Sequence, residues 1–161
     1  MPHRIAVVGP GDVPTDSREY EAAEALGRLL AHHGVTVLCG GRAGVMEAVA
    51  RGVGESAVVV GVLPDPDDRR ASPYLTVALP TGLGESRNAV LVAGAHAVIS
   101  VGGSWGTLSE IALAVRIGRP VVSLWGWRVV DAAGSELVAV HYVEDVNAAV
   151  QVALDILRQQ P

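Results

Sequence analysis

Short apolar runs alternate with longer stretches at helical spacing along this chain. The runs at 4–9 (RIAVVG) and 35–40 (VTVLCG) are almost wholly apolar, which is typical of buried strands. Apolar residues at helical spacing fill 18–33, and Gly34 then provides a helix stop. The pattern predicts strands at 4–9, 35–40, 57–64, 74–80, 97–103, 120–126 and, at a sheet edge, 136–143. It predicts helices at 18–33, 43–52, 84–95, 107–117 and 144–159, with a polar loop at 65–73.

This alternation also predicts the fold class. Short apolar strands separated by helices form a parallel sheet covered on both faces, and right-handed crossovers make such a sheet doubly wound. The chain has 161 residues without a repeat or a linker-like segment, so we expect one α/β domain over residues 1–161. Ligands of such sheets bind at the carboxyl ends of the strands, beside the point where the strand order reverses.

Composition and charge exclude several classes of function. Half of the residues are hydrophobic, the net charge is −5 and no basic patch stands out, so we expect no nucleic-acid-binding protein. The chain has no lysine, since all twelve basic residues are arginine. A pyridoxal-phosphate Schiff base and a Walker A loop both need lysine and are therefore excluded. Apolar segments are shorter than the roughly 18 residues of a membrane span. We expect a cytoplasmic protein without a signal peptide.

The cysteine and the histidines of this chain do not have the spacing of a metal site. Cys39 is the single cysteine and lies in an apolar run, so it is either a buried inert thiol or a reactive one. The histidines show no metal-ligand spacing with carboxylates or with this cysteine. We therefore predict no bound metal.

Two glycine-rich turns follow the first two strands. Gly11 belongs to a Gly-x-Gly pair that lacks the third glycine of a dinucleotide fingerprint, so the turn either offers backbone N–H groups to a ligand or is simply tight. Gly40 and Gly41 precede a helix predicted to open near Gly44, and glycines with a helix N-terminus suit a phosphate. Two nearby side chains are candidates: Arg42 for a charge-assisted contact, and Met46 as pocket lining or core.

The third turn, GGSWGTLSE at 102–110, combines more chemistry. The turn contains three glycines, which lack a Cβ and so let a ligand approach the backbone: Gly102, Gly103 and Gly106. It also contains two hydroxyl groups, those of Ser104 and Thr107. Trp105 is expected to be exposed, flanking a ligand or covering a subunit contact. Thr107 and Glu110 have the spacing of a capping box, with Thr107 as the N-cap of the next helix. Glu110 is therefore either a cap or a ligand-facing carboxylate.

An arginine stands at the start of an otherwise apolar helix. Arg87 falls in the first turn of the predicted 84–95 helix, where the helix dipole disfavours a cation unless an anion is near. Its partner is either a bound anion or the side chain of Glu85. A phosphorylated small molecule held by two neighbouring helix N-termini is the ligand that this arrangement favours.

Together these motifs resemble the family long labelled "possible lysine decarboxylase", which includes LONELY GUY phosphoribohydrolases and molybdenum-cofactor carriers. GGSWGTLSE is similar to its Pro-Gly-Gly-x-Gly-Thr-x-x-Glu motif, CGGRAGVME to its Gly-Gly-x-x-Gly-x-Met helix start, and Arg87 has the family's spacing before Gly102. The resemblance covers about residues 4–127. It implies a Rossmann-like fold, usually dimeric, that binds a nucleoside 5′-monophosphate.

The resemblance also implies roles for individual residues. In the hydrolase branch the arginine and the motif glutamate, here Arg87 and an ionised Glu110, cleave the N-glycosidic bond and release a base and ribose 5-phosphate without a cofactor. The chain departs from that branch: Gly102 replaces the motif proline, Ser104 replaces a glycine, and Asn88 replaces the lysine after the arginine.

These departures are typical of the shorter carrier-like branch. We therefore expect either a phosphoribohydrolase or a carrier or sensor that binds molybdenum cofactor or another phosphorylated ligand. In either case we expect a homodimer or a higher homo-oligomer. The predicted binding residues, apart from the two of the hydrolase mechanism, lie on the glycine-rich turns and the arginine helix: Gly11, Gly40, Gly41, Met46, Asn88, Gly103, Ser104, Trp105, Gly106 and Thr107.

Overall fold

The computed structural model describes residues 1–136 and 138–159 and contains a seven-stranded, fully parallel sheet in that part of the chain. The strands in chain order are β1 (Arg4–Val8), β2 (Thr36–Cys39), β3 (Val59–Leu63), β4 (Val77–Pro80), β5 (Ala97–Val101), β6 (Val121–Leu124) and β7 (Val140–Val143). The helices are α1 (Arg18–His32), α2 (Val45–Val53), α3 (Arg87–Gly94), α4 (Trp105–Arg116) and α5 (Val146–Gln159), and a 3-10 turn spans Gly84–Ser86.

The strand order is β4-β3-β2-β1-β5-β6-β7. The chain builds outward from β1 to β4, and then returns to the other side of β1 to continue with β5. This reversal makes the β1/β5 pair the switch point of the sheet. The predicted α/β, Rossmann-like, doubly wound fold is therefore confirmed.

Helices cover both faces of the sheet. Alternate residues of β1 face opposite sides: Ile5 and Val7 pack with α1, α2 and α5, whereas Ala6 and Val8 pack with α3 and α4. The strands are buried on both faces, which is why their sequences read as continuous apolar runs. The cysteine at the end of β2 is buried, and burial raises the pKa of the Cys39 thiol to about 12.

Most predicted elements are confirmed, with shifted ends. The last strand is predicted over 136–143; β7 covers its second half, and residue 137 lies outside the described residues. The 107–117 helix is predicted too late, because α4 already begins at Trp105. None of the described helices is long and apolar enough to cross a membrane.

Candidate functional site

A crevice of about 180 Å³ lies at the carboxyl edge of the sheet, at the switch point. The loops after β1, β2 and β5 and the start of α3 surround it. Its walls combine backbone-exposing glycines with two arginines and two carboxylates. The lining residues are Val8, Gly9, Gly11, Gly40, Arg42, Met46, Glu85, Arg87, Asn88, Ser104, Gly106, Thr107 and Glu110.

The N-terminus of α4 opens into this crevice, and Ser104 caps it. The Ser104 Oγ accepts a hydrogen bond from the Thr107 backbone N at 3.2 Å, and the backbone of Ser104 is extended, as an N-cap requires. The prediction that Thr107 is the N-cap is therefore wrong. Thr107 is the third residue of the helix, because a serine three residues earlier supplies the oxygen that the helix needs. Glu110 consequently lies in the second turn and is no partner in a capping box.

The N-terminus of α2 forms the opposite side of the crevice. Its N-cap, Gly44, has φ +66° and no side chain with which to cap the helix, and the Val45 backbone N donates to the Pro10 carbonyl at 3.0 Å. A Cβ on Gly44 would overlap that carbonyl. Glycine therefore lets the loop after β1 pack against the helix start. Met46, in the first turn of α2, packs against the core and also lines the crevice, so both interpretations of this residue hold.

Arg87 is buried at the first position of α3, with its guanidinium at the floor of the crevice. Its Nη1 donates to the Val62 carbonyl at 2.7 Å, while its buried Nε has no partner among the described residues. No ion pair joins it to Glu85 in the described part of the chain. A Cβ on Gly40 would overlap Arg87 Nη1 and Met46 Sδ, so only glycine at position 40 leaves room for this guanidinium.

Glu110 projects from α4 into the same crevice and is only 7% exposed. No hydrogen bond or ion pair to another described residue holds its carboxyl group. Burial raises the pKa of Glu110 to about 7, against the lowering effect of Arg87 and with a smaller raising effect of Glu85. The expectation of an ionised Glu110 thus changes: both the neutral acid and the carboxylate are populated near neutral pH.

Asn88 joins α3 to α4 beside the crevice. Its Nδ2 donates to Ser109 Oγ at 3.3 Å, and that hydroxyl donates in turn to the Gly106 carbonyl at 2.7 Å. The Asn88 Oδ1 is buried without a partner in the described residues. A ligand that brings a donor to this oxygen would remove the cost of an unpaired buried acceptor, which is about 1–3 kcal/mol.

Three of the predicted site residues do not line the crevice. Gly41 has φ +76° and turns its α-carbon towards β3, where a Cβ would lie 2.7 Å from the Leu63 side chain. Gly103 makes room for Trp127, which would lie 2.8 Å from a Cβ there. Trp105 is 77% exposed, as expected, and faces Trp127 with 5.1 Å between ring centroids.

The crevice also contains residues that were not among the predicted ones. Val8 and Gly9 line it because β1 ends there, and a Cβ on Gly9 would lie 2.6 Å from the Val101 carbonyl, so this glycine lets β1 and β5 continue into adjacent loops. Glu85 lines the crevice instead of pairing with Arg87. Glu85 could have been predicted as a crevice residue from its position two residues before Arg87.

The chain belongs to the SLOG cluster4 family, whose model matches residues 2–150. Over nearly its whole length it is similar to the solved molybdenum cofactor binding protein from the phototrophic bacterium Rippkaea orientalis (32% identity, 98% of each chain, TM-score 0.86). It is also similar to the molybdenum cofactor carrier protein from Chlamydomonas reinhardtii (30% identity, 99% of this chain and 100% of that chain, TM-score 0.85). An uncharacterized protein from Archaeoglobus fulgidus is 38% identical over 122 residues, which are 75% of this chain and 79% of that protein.

These comparisons confirm part of the expected resemblance: the chain belongs to the SLOG cluster4 family and is similar to molybdenum-cofactor carriers. The same comparisons confirm the Rossmann-like fold. Membership of the LONELY GUY branch and its hydrolase activity stay predictions.

Proposed function

We propose that this member of the SLOG cluster4 family binds a phosphorylated small molecule in the crevice between α2 and α4, and that molybdenum cofactor, as cargo, is that ligand. The observation that carries the proposal is the convergence of the capped α4 N-terminus and the buried Arg87 guanidinium on one crevice. Backbone N–H groups at a helix N-terminus and a fixed guanidinium both favour phosphate. The similarity to two molybdenum-cofactor-binding proteins supports the choice of cargo.

The phosphate would sit on the turn 104–107, where Ser104, Gly106 and Thr107 line the crevice. Ser104 Oγ and Thr107 Oγ1 lie 3.0 Å apart and share one hydrogen bond. That bond uses one hydroxyl proton, so the other hydroxyl is free to donate to a phosphate oxygen. Arg87 would supply the charge, since its Nε has no partner among the described residues.

The size of the crevice limits how much of the ligand it takes. Its volume of about 180 Å³ is below the roughly 300–1,000 Å³ of most ligand pockets. The crevice therefore suits a phosphate with its neighbouring atoms, while the rest of the ligand lies over the open rim.

The test is the identity of what the purified protein retains. Protein purified without oxygen and analysed by mass spectrometry is expected to release an intact pterin phosphate. Arg87→Ala should lose the ligand, whereas Arg158→Ala, which removes an exposed arginine paired with Asp155 on α5, should keep it. Retention of no phosphorylated compound, and no binding of one on addition, would contradict the proposal.

A second candidate function is hydrolysis of a nucleoside 5′-monophosphate, and the environment of Glu110 favours it. A carboxylic acid with a pKa of about 7 is suited to protonating a leaving base. Glycoside cleavage usually needs two carboxyl groups, and Glu85 is the second one in the crevice. In this reaction the N-glycosidic bond breaks and the base leaves with the proton of Glu110. The oxygen of the attacking water bonds to C1 of the ribose, and Glu85 accepts the proton that this water loses.

An assay of ribose 5-phosphate release from AMP separates the two functions. A hydrolase releases it, and Glu110→Gln lowers the rate by about 10²–10⁴-fold. A carrier releases none and retains its ligand intact. If Glu110→Gln and Arg87→Ala leave release unchanged, the proposed hydrolytic roles of both residues are wrong.

We also propose that the chain forms a homo-oligomer through the face of α3 and α4. Leu83 and Val90 are exposed on this side, and an apolar depression lies between Leu108 and Val129. Light scattering should give a mass above that of one chain, and Val90→Glu should reduce it.

A further inference from the structure

A second depression adjoins the crevice on its outer side. It encloses about 370 Å³ and is lined by Gly11, Arg42, Ala43, Met46 and Arg70. Three of these residues, namely Gly11, Arg42 and Met46, line the crevice as well, so the two spaces adjoin each other. The part of a ligand that the crevice leaves outside therefore has this depression next to it.

The loop 65–73 contributes Arg70 to the lining of the depression. The Ser72 backbone N donates to the Gly41 carbonyl at 2.8 Å, and this bond ties the loop to the glycine turn after β2. Arg70 precedes that anchor by two residues and lines the depression. Its neighbour Arg69 turns away and pairs with Asp67 at 2.6 Å. Of these two consecutive arginines, only Arg70 therefore lines the depression.

The depression carries a net positive charge. Arg42 Nη2 lies 3.2 Å from Asp65 Oδ1, and Arg70 Nη1 lies 3.9 Å from the same oxygen. The Asp65 carboxylate therefore faces two guanidinium groups. Asp65 itself does not line the depression. The Arg70 side chain is 71% exposed, and an ion pair that long and exposed contributes little to stability. Arg70 thus remains available to an anion from outside.

We infer that this depression is a second anion subsite, lined by Arg42 and Arg70, and that the ligand carries a second anionic group beside the phosphate held at α4. This inference rests on the proposed function, because it needs the first phosphate in the crevice. It narrows the ligand class to compounds with two neighbouring anionic groups. A neutral extension would face two guanidinium groups that share the single Asp65 carboxylate, so one positive charge would stay unbalanced.

Inorganic anions test the subsite independently of the organic part of the ligand. Dissociation constants of phosphate and tripolyphosphate are measured by calorimetry at low salt for the wild type, Arg70→Gln and Arg69→Gln. The last variant is the matched control, since it makes the same change one residue away and outside the depression. Arg70→Gln should weaken tripolyphosphate about fivefold and leave phosphate within about twofold. Raising the salt should shrink the difference, because exposed charges are screened.

The possible outcomes are distinct. An effect confined to Arg70→Gln and to tripolyphosphate supports the subsite. Equal effects of Arg69→Gln and Arg70→Gln, or equal losses for both anions, would overturn it and leave the proposed phosphate site in place. If neither anion binds to the wild type, the proposed function fails and the subsite fails with it.

Discussion

Replacing Glu110 by glutamine should make the stability of this protein less dependent on pH. Burial raises the Glu110 pKa from its ordinary 4.5 to about 7 in the folded chain. A folded-state pKa above the unfolded value means that the folded state binds the proton more tightly. The resulting stabilisation is complete below about pH 4.5 and is lost as the pH rises through about 7. At about 1.4 kcal/mol per pH unit, the loss between pH 5 and pH 8 is about 2–3 kcal/mol.

Urea unfolding at pH 5, 6, 7 and 8 measures this loss for the wild type and for Glu110→Gln. The variant should show about 2–3 kcal/mol less change between the two extremes. The Glu110 carboxyl group has no partner among the described residues, so an amide in its place is expected to be buried unpaired, at a cost in stability that is equal at every pH. The readout is therefore the slope with pH and not the stability itself. Glu55→Gln, which changes an exposed carboxylate, should keep the wild-type slope.

Equal slopes for the wild type and Glu110→Gln would refute this reasoning. They would mean that the carboxyl group is as well hydrated in the folded state as in the unfolded state. The general-acid role suggested above would then lose its physical basis.

Other predictions concern the glycines and the cap of the crevice. Gly40→Ala should lower the free energy of unfolding by about 1–3 kcal/mol, because the new methyl overlaps the Arg87 guanidinium, which is fixed by its bond to a carbonyl. Gly106→Ala, in contrast, should raise that free energy by about 0.5–1 kcal/mol in the absence of ligand, since its Cβ would approach only Ser104 Oγ, at 3.7 Å. Denaturant midpoints of both variants provide the check, and equal shifts would contradict the steric argument. Ser104→Ala should cost about 1 kcal/mol through the lost bond to Thr107 N, and circular dichroism during heating measures it. An unchanged midpoint would show that the cap is not needed.

The capping box illustrates where local reasoning about the sequence fails. Thr107 and Glu110 have the right spacing and residue types, but Ser104 stands one turn earlier and caps the helix instead. The choice depends on where β5 ends and Gly102 turns the chain, with φ +62°. By sequence, both Ser104 and Thr107 are suitable N-cap residues. The tertiary structure selects Ser104, because the end of β5 fixes the position of the backbone where the helix begins.

The alternation of strands and helices, the parallel sheet and the three glycine turns at one edge can all be predicted from the amino-acid sequence. Buried parallel strands require continuous apolar runs, and turns that pack this closely against neighbouring protein atoms require residues without a Cβ. Which residues share the crevice, in contrast, depends on how the helices pack on the sheet. Arg87 and Glu110 come from different helices and meet because α3 and α4 pack on the same face of the sheet. Packing between distant segments also buries Glu110, which raises its pKa. The same packing places Arg70, but not Arg69, at the depression beside the crevice.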